Sequence, residues 1–146
     1  LKKLISECDL LVGGVLIPGA EAPKLVTKEM IKSMKRGSVI VDVAIDQGGC
    51  VETSKPTTHA NPTFMVNEVV HYCVANMPGG VPRTSTMALN KAILPLLLKL
   101  ADQGYKKTLK ENKNYLAGLN VYRGEITHKG VSDAFNLRYT PATELF

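Results

Sequence analysis

The sequence predicts an α/β fold: part of a Rossmann-like, doubly wound parallel sheet followed by a helical segment. Three observations carry this. Residues 37–50 (Gly-Ser-Val-Ile-Val-Asp-Val-Ala-Ile-Asp-Gln-Gly-Gly-Cys) begin at a turn glycine and run through β-branched residues that read as a strand buried on both faces. They end in an acid, an amide and two glycines. A second apolar run, Asp9 to Leu16, lies upstream of a short amphipathic stretch. Strand, helix and strand with short joints imply a parallel pair with a right-handed crossover. Past residue 80 the period changes, and Ala88, Ala92, Ile93, Leu96, Leu97 and Leu100 fall at helical spacing. The expected division is residues 1–80 for the sheet and 81–146 for the helical part.

In chain order, Leu1 to Asp9 resembles the tail of a helix. It lacks an initiator Met and the apolar core of a signal peptide, so the chain is expected to begin inside a longer protein. The Asp9–Leu16 strand exits through Gly13 and Gly14 into a turn-rich stretch, Ile17 to Pro23. Val26 to Lys35 is the crossover helix, with Thr27 as its N-cap and Gly37 as its stop. After the second strand, Val51 to Pro62 is a long connection of low apolar content, a length that is usually functional or disordered. Thr63 to Val66 reads as a short strand or part of that connection. Val69 to Ala75 is a further strand, which exits into Asn76 to Pro82, a loop that cannot turn helical before Pro82 is passed. Thr84 or Ser85 caps a helix that runs to about Asp102, with a kink at Pro95 and a stop at Gly104. A second helix spans about Lys106 to Gly118, and an irregular tail follows.

Composition removes several classes of function. The net charge of +5 comes from thinly spread basic residues, and the densest group, Lys106, Lys107, Lys110 and Lys113, reads as a solvated helix face. With no Trp and few aromatics, a base-stacking platform is not expected, and neither is a nucleic-acid partner. No apolar window reaches membrane-spanning length, so no membrane partner is expected. Cys8, Cys50 and Cys73 are odd in number and widely spaced, which fits free thiols in a reducing cytoplasm better than a disulfide framework or a metal site.

Ligands of open parallel sheets sit beyond the carboxyl ends of the strands, which is where this reading puts Asp46. A carboxylate there can orient a substrate, accept a proton, hold a ribose hydroxyl, or merely cap a turn. Asp42 shares its strand face but lies in the buried run, so a hydrogen-bonded structural acid is expected. Asn76, at the exit of the later strand, can donate to a carboxylate or carbonyl, or simply occupy a turn. Cys50 as a nucleophile lacks a neighbouring base in sequence, and no spacing supports a metal site from Asp46, Cys50 and His59. No G-x-G-x-x-G follows any strand, so a dinucleotide phosphate loop, if there is one, must lie upstream of residue 1.

Taken together, several stretches resemble the L-alanine dehydrogenase family. They are Leu11-Val12-Gly13-Gly14-Val15-Leu16-Ile17-Pro18-Gly19-Ala20, Ala22-Pro23-Lys24-Leu25-Val26 and Val41 to Cys50. Lys55-Pro56-Thr57-Thr58, Cys73 to Pro78, Val81-Pro82 and Thr84-Ser85-Thr86 continue the match, which covers residues 9 to about 102. The resemblance implies the late half of a nicotinamide-binding domain, after which the chain returns to the substrate domain. It implies NAD as cofactor and reversible oxidative deamination of L-alanine to pyruvate and ammonia by a cytoplasmic homo-hexamer. By the same resemblance Asp46 is an active-site residue. Val15, Leu16, Val43, Ala44, Ile45, Asp46, Lys55, Val74, Ala75, Asn76 and Met77 line the cofactor, and Asn76 lies close to the substrate. No metal is implied. The family's substrate-holding Arg and Lys and its catalytic His lie in an amino-terminal half that these residues do not include. Two alternatives stay open. The nucleotide-binding subunit of proton-translocating transhydrogenase shares the Pro-Gly, Ala-Pro-Lys and Gly-Ser-Val-Ile-Val-Asp features, but its pattern has no aspartate at the position of Asp46. A non-catalytic nucleotide-binding fragment is the other.

Overall fold

A computed structural model describes residues 1–146 and divides them into two compact units. The first comprises Leu1–Ile17 and Glu21–Gly80, the second Pro18–Ala20 and Val81–Phe146.

The first unit is built on a four-stranded sheet. Helix α1 (Lys2–Glu7) precedes β1 (Leu10–Gly13); α2 (Lys28–Lys32) crosses to β2 (Val39–Asp42); β3 (Thr63–Val66) and β4 (Val69–Tyr72) follow. The order is β1-β2-β4-β3, with β1, β2 and β4 parallel and β3 antiparallel on β4. An antiparallel edge on a parallel sheet is a common variant of the α/β class. Because three strands run the same way, Gly13, Asp42 and Tyr72 all end at one edge.

Local chemistry accounts for the elements. The Thr27 hydroxyl accepts from Met30 N at 3.3 Å, and Glu29 in the first turn pairs with Lys32 at 3.2 Å. The helix is shorter than Val26–Lys35. At its start Val26 pairs with Val51 as extended backbone, and at its end the bonds tighten to i+3 (Ser33 N to Met30 O, Met34 N to Ile31 O). Gly37 then turns at φ +77°, which an L-residue adopts poorly, and its N–H donates to Glu68 O at 2.8 Å. Ile5, Ile31, Ile40 and Val69 meet Val26, Met34, Ala44 and Val51 in the core.

Several strand expectations need correcting. The first strand is confined to residues 10–13, and Leu10 and Val12 on one of its faces are exposed. The second is not buried on both faces: Ile40 and Asp42 are buried, whereas Val39 and Val41 are half-buried. It ends at Asp42, and Val43–Gln47 form a 3-10 turn. The strand after residue 69 ends at Tyr72 rather than Ala75. Thr63–Val66 is a true strand, closed onto β4 by Asn67 and Glu68 at φ +50° and +61°. Two successive left-handed residues make the hairpin turn whose twist suits the flanking strands. Met77–Gly80 form another 3-10 turn, before Pro82 rather than after it.

The second unit starts with α3 (Pro82–Gln103). Pro82 at the first helical turn initiates it, not a Thr84 or Ser85 cap, because that position needs no backbone N–H. The helix continues through Pro95 and stops at Gly104, φ +73°. The single helix expected next divides into α4 (Tyr105–Glu111) and α5 (Lys113–Ala117) at Asn112, whose side chain accepts from Asn114 N at 3.0 Å. The tail is not irregular. A hairpin of β5 (Val121–Tyr122) and β6 (Glu125–Ile126) turns at Arg123 and Gly124, both at positive φ, and α6 (Lys129–Phe135) follows.

His71 on β4 has no exposed surface. Its Nδ1 lies 3.0 Å from the Val69 carbonyl, which can only accept, so Nδ1 carries the proton and Nε2 accepts from Thr53 Oγ1 at 2.8 Å. The Phe64 ring stacks on it at 4.9 Å. Burial pulls its pKa below the ordinary 6.5. The unfolded chain therefore takes up a proton that the folded one refuses. Stability is expected to fall as pH drops below 6.5, by up to about 1.4 kcal/mol per pH unit until the folded-state pKa is passed. Urea unfolding at pH 7.5 and 5.5 measures this, and a His71→Gln variant should lose that share of the slope.

Candidate active site

The three parallel strands release three segments at one edge: Gly14 to Ile17 after β1, Val43–Gln47 after β2, and Cys73 to Met77 after β4. What shapes the middle one is Asp42. Its side chain is fully buried at the last position of β2 and accepts four hydrogen bonds. Oδ1 takes Cys50 N at 3.3 Å and the Cys50 thiol at 3.5 Å. Oδ2 takes Val51 N at 3.1 Å and Ser54 Oγ at 2.6 Å. The structural role expected of Asp42 is the one it has.

This acceptor pulls the chain back on itself, and the glycines make the return possible. Gly48 and Gly49 adopt φ +89° and +78°, and a Cβ on Gly49 would stand 2.8 Å from Asp42 Oδ2. A Cβ on Gly13 would collide with the Cys50 sulfur. The Cys50 thiol is pushed up from its ordinary pKa by burial and then by the Asp42 charge, the opposite of an activated nucleophile. Burial also raises the Cys73 thiol.

The segment Glu21 to Val26 runs beside the return: Ala22 N donates to Gln47 O and Leu25 N to Cys50 O, each at 2.8 Å. The Lys24 ammonium donates to the carbonyls of Gly48 and, at 2.7 Å, of Gly49. The long connection is a brace rather than a free loop. Thr53 holds His71, Ser54 holds Asp42, and Thr57 bridges to Val74, with Thr57 N donating to Cys73 O at 2.8 Å.

Between the first two segments lies a cleft of about 220 Å³ lined by Gly14, Val15, Leu16, Val43, Ala44, Asp46 and Gln47. Five of the expected site residues (Val15, Leu16, Val43, Ala44 and Asp46) therefore stand together. Asp46 is exposed and has no hydrogen-bond or ion-pair partner in the chain, so its carboxylate is available. Gln47, also in the lining, has its Oε1 buried without a partner. In the sequence Gln47 is only the amide that follows Asp46, with no local signal of a role. Lys24 has no such signal either, since nothing local in the sequence shows which carbonyls a lysine will reach.

The other expected residues are placed differently. Ile45 is 3% exposed and packs into the core, so it offers only backbone. Val74 is likewise buried, while Ala75 and Asn76 are exposed and Met77 half-buried at the end of β4's exit. The Asn76 side chain covers Gly79, where a Cβ would be 2.8 Å from Nδ2, and its backbone carbonyl accepts from His59 Nε2 at 2.6 Å. Lys55 lies over the Phe64 ring at 4.7 Å and is not part of the cleft lining. Asp46, Cys50 and His59 do not come together, and no group of three His, Cys, Asp or Glu residues is placed to hold a metal.

Asp42→Ala leaves two backbone N–H groups and a hydroxyl without their acceptor and is expected to destabilise the first unit by about 3 kcal/mol or more. Asp42→Asn keeps one oxygen and should lose less. Gly49→Ala, at positive φ and in collision with that carboxylate, is expected to cost about 1–3 kcal/mol. Urea denaturation checks all three; values within about 0.5 kcal/mol of the parent would contradict the assigned role.

The family model "Alanine dehydrogenase/PNT, C-terminal domain" matches residues 1–129. The alanine dehydrogenase of Halomonas elongata is 58% identical over 145 residues, 99% of this chain and 39% of that protein. That of Staphylococcus haemolyticus is 59% identical over 141 residues, 96% of this chain and 38% of that protein. A solved L-alanine dehydrogenase superposes with a TM-score of 0.75 at 50% identity, covering 92% of this chain and 37% of that one. A solved transhydrogenase from Sinorhizobium meliloti superposes at 0.65 with 26% identity, covering 88% and 34%. The chain thus spans less than two-fifths of the curated relatives it matches. With the family model covering most of its length, the chain belongs to the alanine dehydrogenase and transhydrogenase carboxy-terminal-domain family.

Proposed function

We propose that this chain is the carboxy-terminal part of an NAD-dependent alanine dehydrogenase, catalysing the reversible oxidative deamination of L-alanine to pyruvate and ammonia. The observation that carries the proposal is the unpaired Asp46 carboxylate in a cleft at the carboxyl edge of a parallel sheet, in a chain 58% identical to an alanine dehydrogenase. The cleft suits the nicotinamide end of the cofactor. Val15, Leu16, Val43 and Ala44 supply apolar walls for a flat ring, and Asp46 and Gln47 complete the lining. When bound, NAD supplies the hydride acceptor.

The residues of this chain contribute by position and charge. The walls hold the ring against the substrate Cα hydrogen and exclude water from one of its faces. Asp46 favours a positively charged amine or iminium and can orient the attacking water and take up its proton. Asn76, at the neighbouring strand exit, can donate to the substrate carboxylate. The transhydrogenase reading is favoured by a solved neighbour, but at 26% identity against 50%. Asp46 is also the position at which the transhydrogenase pattern departs.

The test is NAD reduction with L-alanine by a full-length alanine dehydrogenase in which this sequence forms the carboxy-terminal part. Asp46→Asn is expected to lower kcat about 100-fold or more. Turnover that survives the change would remove Asp46 from an essential role. Hydride exchange between two nicotinamide nucleotides in the absence of alanine turnover would move the protein to the transhydrogenase branch. The same preparation is expected to be a cytoplasmic homo-hexamer, and a light-scattering mass below six subunits would contradict that assembly.

A further inference from the structure

We infer that Lys24 is a positioning residue for the reaction: its ammonium fixes the Gly48–Gly49 turn and thereby holds Asp46 and Gln47 in the cleft wall. The inference rests on the reading of the cleft given above and adds to it a residue that touches neither substrate nor cofactor.

The geometry points to a clamp. Val43–Gln47 is a single 3-10 turn, an element whose hydrogen bonds are poorer than an α-helix's and which does not persist alone. Its start is fixed by Asp42 at the end of β2. Its end runs into two consecutive glycines at positive φ, Gly48 and Gly49, a residue type with wide conformational freedom. Such a joint holds one shape only if something outside it fixes both peptide planes. The backbone does part of this, since Gly48 N donates to Ile45 O at 3.1 Å and Gly49 N to Ala44 O at 2.9 Å. Those bonds leave the carbonyls of Gly48 and Gly49 without a backbone donor. Lys24 Nζ takes both, one ammonium on two successive carbonyls.

A point charge with three donors suits this arrangement, because the two carbonyls converge on a single nitrogen. Lys24 is itself held: it sits between Ala22, whose N–H is bonded to Gln47 O, and Leu25, whose N–H is bonded to Cys50 O. The lysine stem is therefore anchored on the segment that flanks the turn on both sides. The Glu21 side chain packs over Gly48, where a Cβ would lie 2.9 Å from its Oε1, which closes the open side of the joint. Asp46 stands two residues before the first clamped carbonyl and has no partner of its own, so the position of its carboxylate follows the turn.

The test compares Lys24→Met, which keeps the stem and loses the charge, with Lys24→Arg, which keeps the charge, in the full-length dehydrogenase. Amide hydrogen exchange is read over residues 43–50, with residues 63–72 as an internal reference. Loss of a charged hydrogen bond on each of two carbonyls is expected to speed exchange over 43–50 by about tenfold or more in Lys24→Met, with the reference unchanged and protection largely restored in Lys24→Arg. kcat with L-alanine is expected to fall about 10- to 100-fold, with a smaller change in KM for NAD. Combined with Asp46→Asn, the Lys24→Met loss is expected to be much smaller than in the parent, because the carboxylate it positions is gone. Unchanged exchange over 43–50, exchange that rises equally in the reference strands, or losses that multiply in the double variant would each overturn the inference. If the parent turns over no alanine while exchange still depends on Lys24, the functional reading fails and the clamp stands.

Discussion

The Asp42 carboxylate is the constraint on which the site depends. It is removed from water and faces no cation, so its four hydrogen bonds are the compensation for its burial. All four donors come from residues 50–54. The chain that leaves β2 must therefore come back to β2 within a few residues, and a tight 3-10 turn followed by two left-handed glycines closes that path. Asp46 faces the cleft because that turn has few alternatives.

The same economy explains the Val51 to Pro62 stretch. Low apolar content and many hydroxyls suggest a solvated loop. Here two of the hydroxyls are ligands of the sheet, Thr53 for His71 and Ser54 for Asp42, and the Thr57 hydroxyl ties the connection to its own end at the Pro62 carbonyl. The hydrogen bonds of the site hold its backbone, and Asp46, left without a partner, stands in the cleft lining beside Gln47.

How far the sequence could be read follows the range of the interactions. The order of strands and crossover helix was legible because apolar period and the Thr27 cap are local signals. So were the Gly104 stop and the placement of Asp46 near a strand exit. The β3–β4 hairpin was not, because its turn uses Asn67 and Glu68 with no glycine, and a glutamate at positive φ carries no signature. The 3-10 turn was hidden for a related reason: Val43-Ala44-Ile45 continues a strand pattern, and only the distant donors at 50–54 end it. That one misplaced boundary also turns Ile45 into the core. The tail hairpin at Arg123-Gly124 was missed because strands of two residues give no periodicity. Lys24 acts across a separation of 24 residues, which no local rule reaches.

The measurement that bears most directly on this account is a crystal structure, with NADH bound, of a full-length alanine dehydrogenase carrying this sequence. The account predicts the nicotinamide ring between Val15–Leu16 and Val43–Ala44, with the Asp46 carboxylate beside it and Asp42 still holding Cys50, Val51 and Ser54. A ring seated away from these residues, or a 43–50 turn released from Asp42 when the ligand binds, would contradict it.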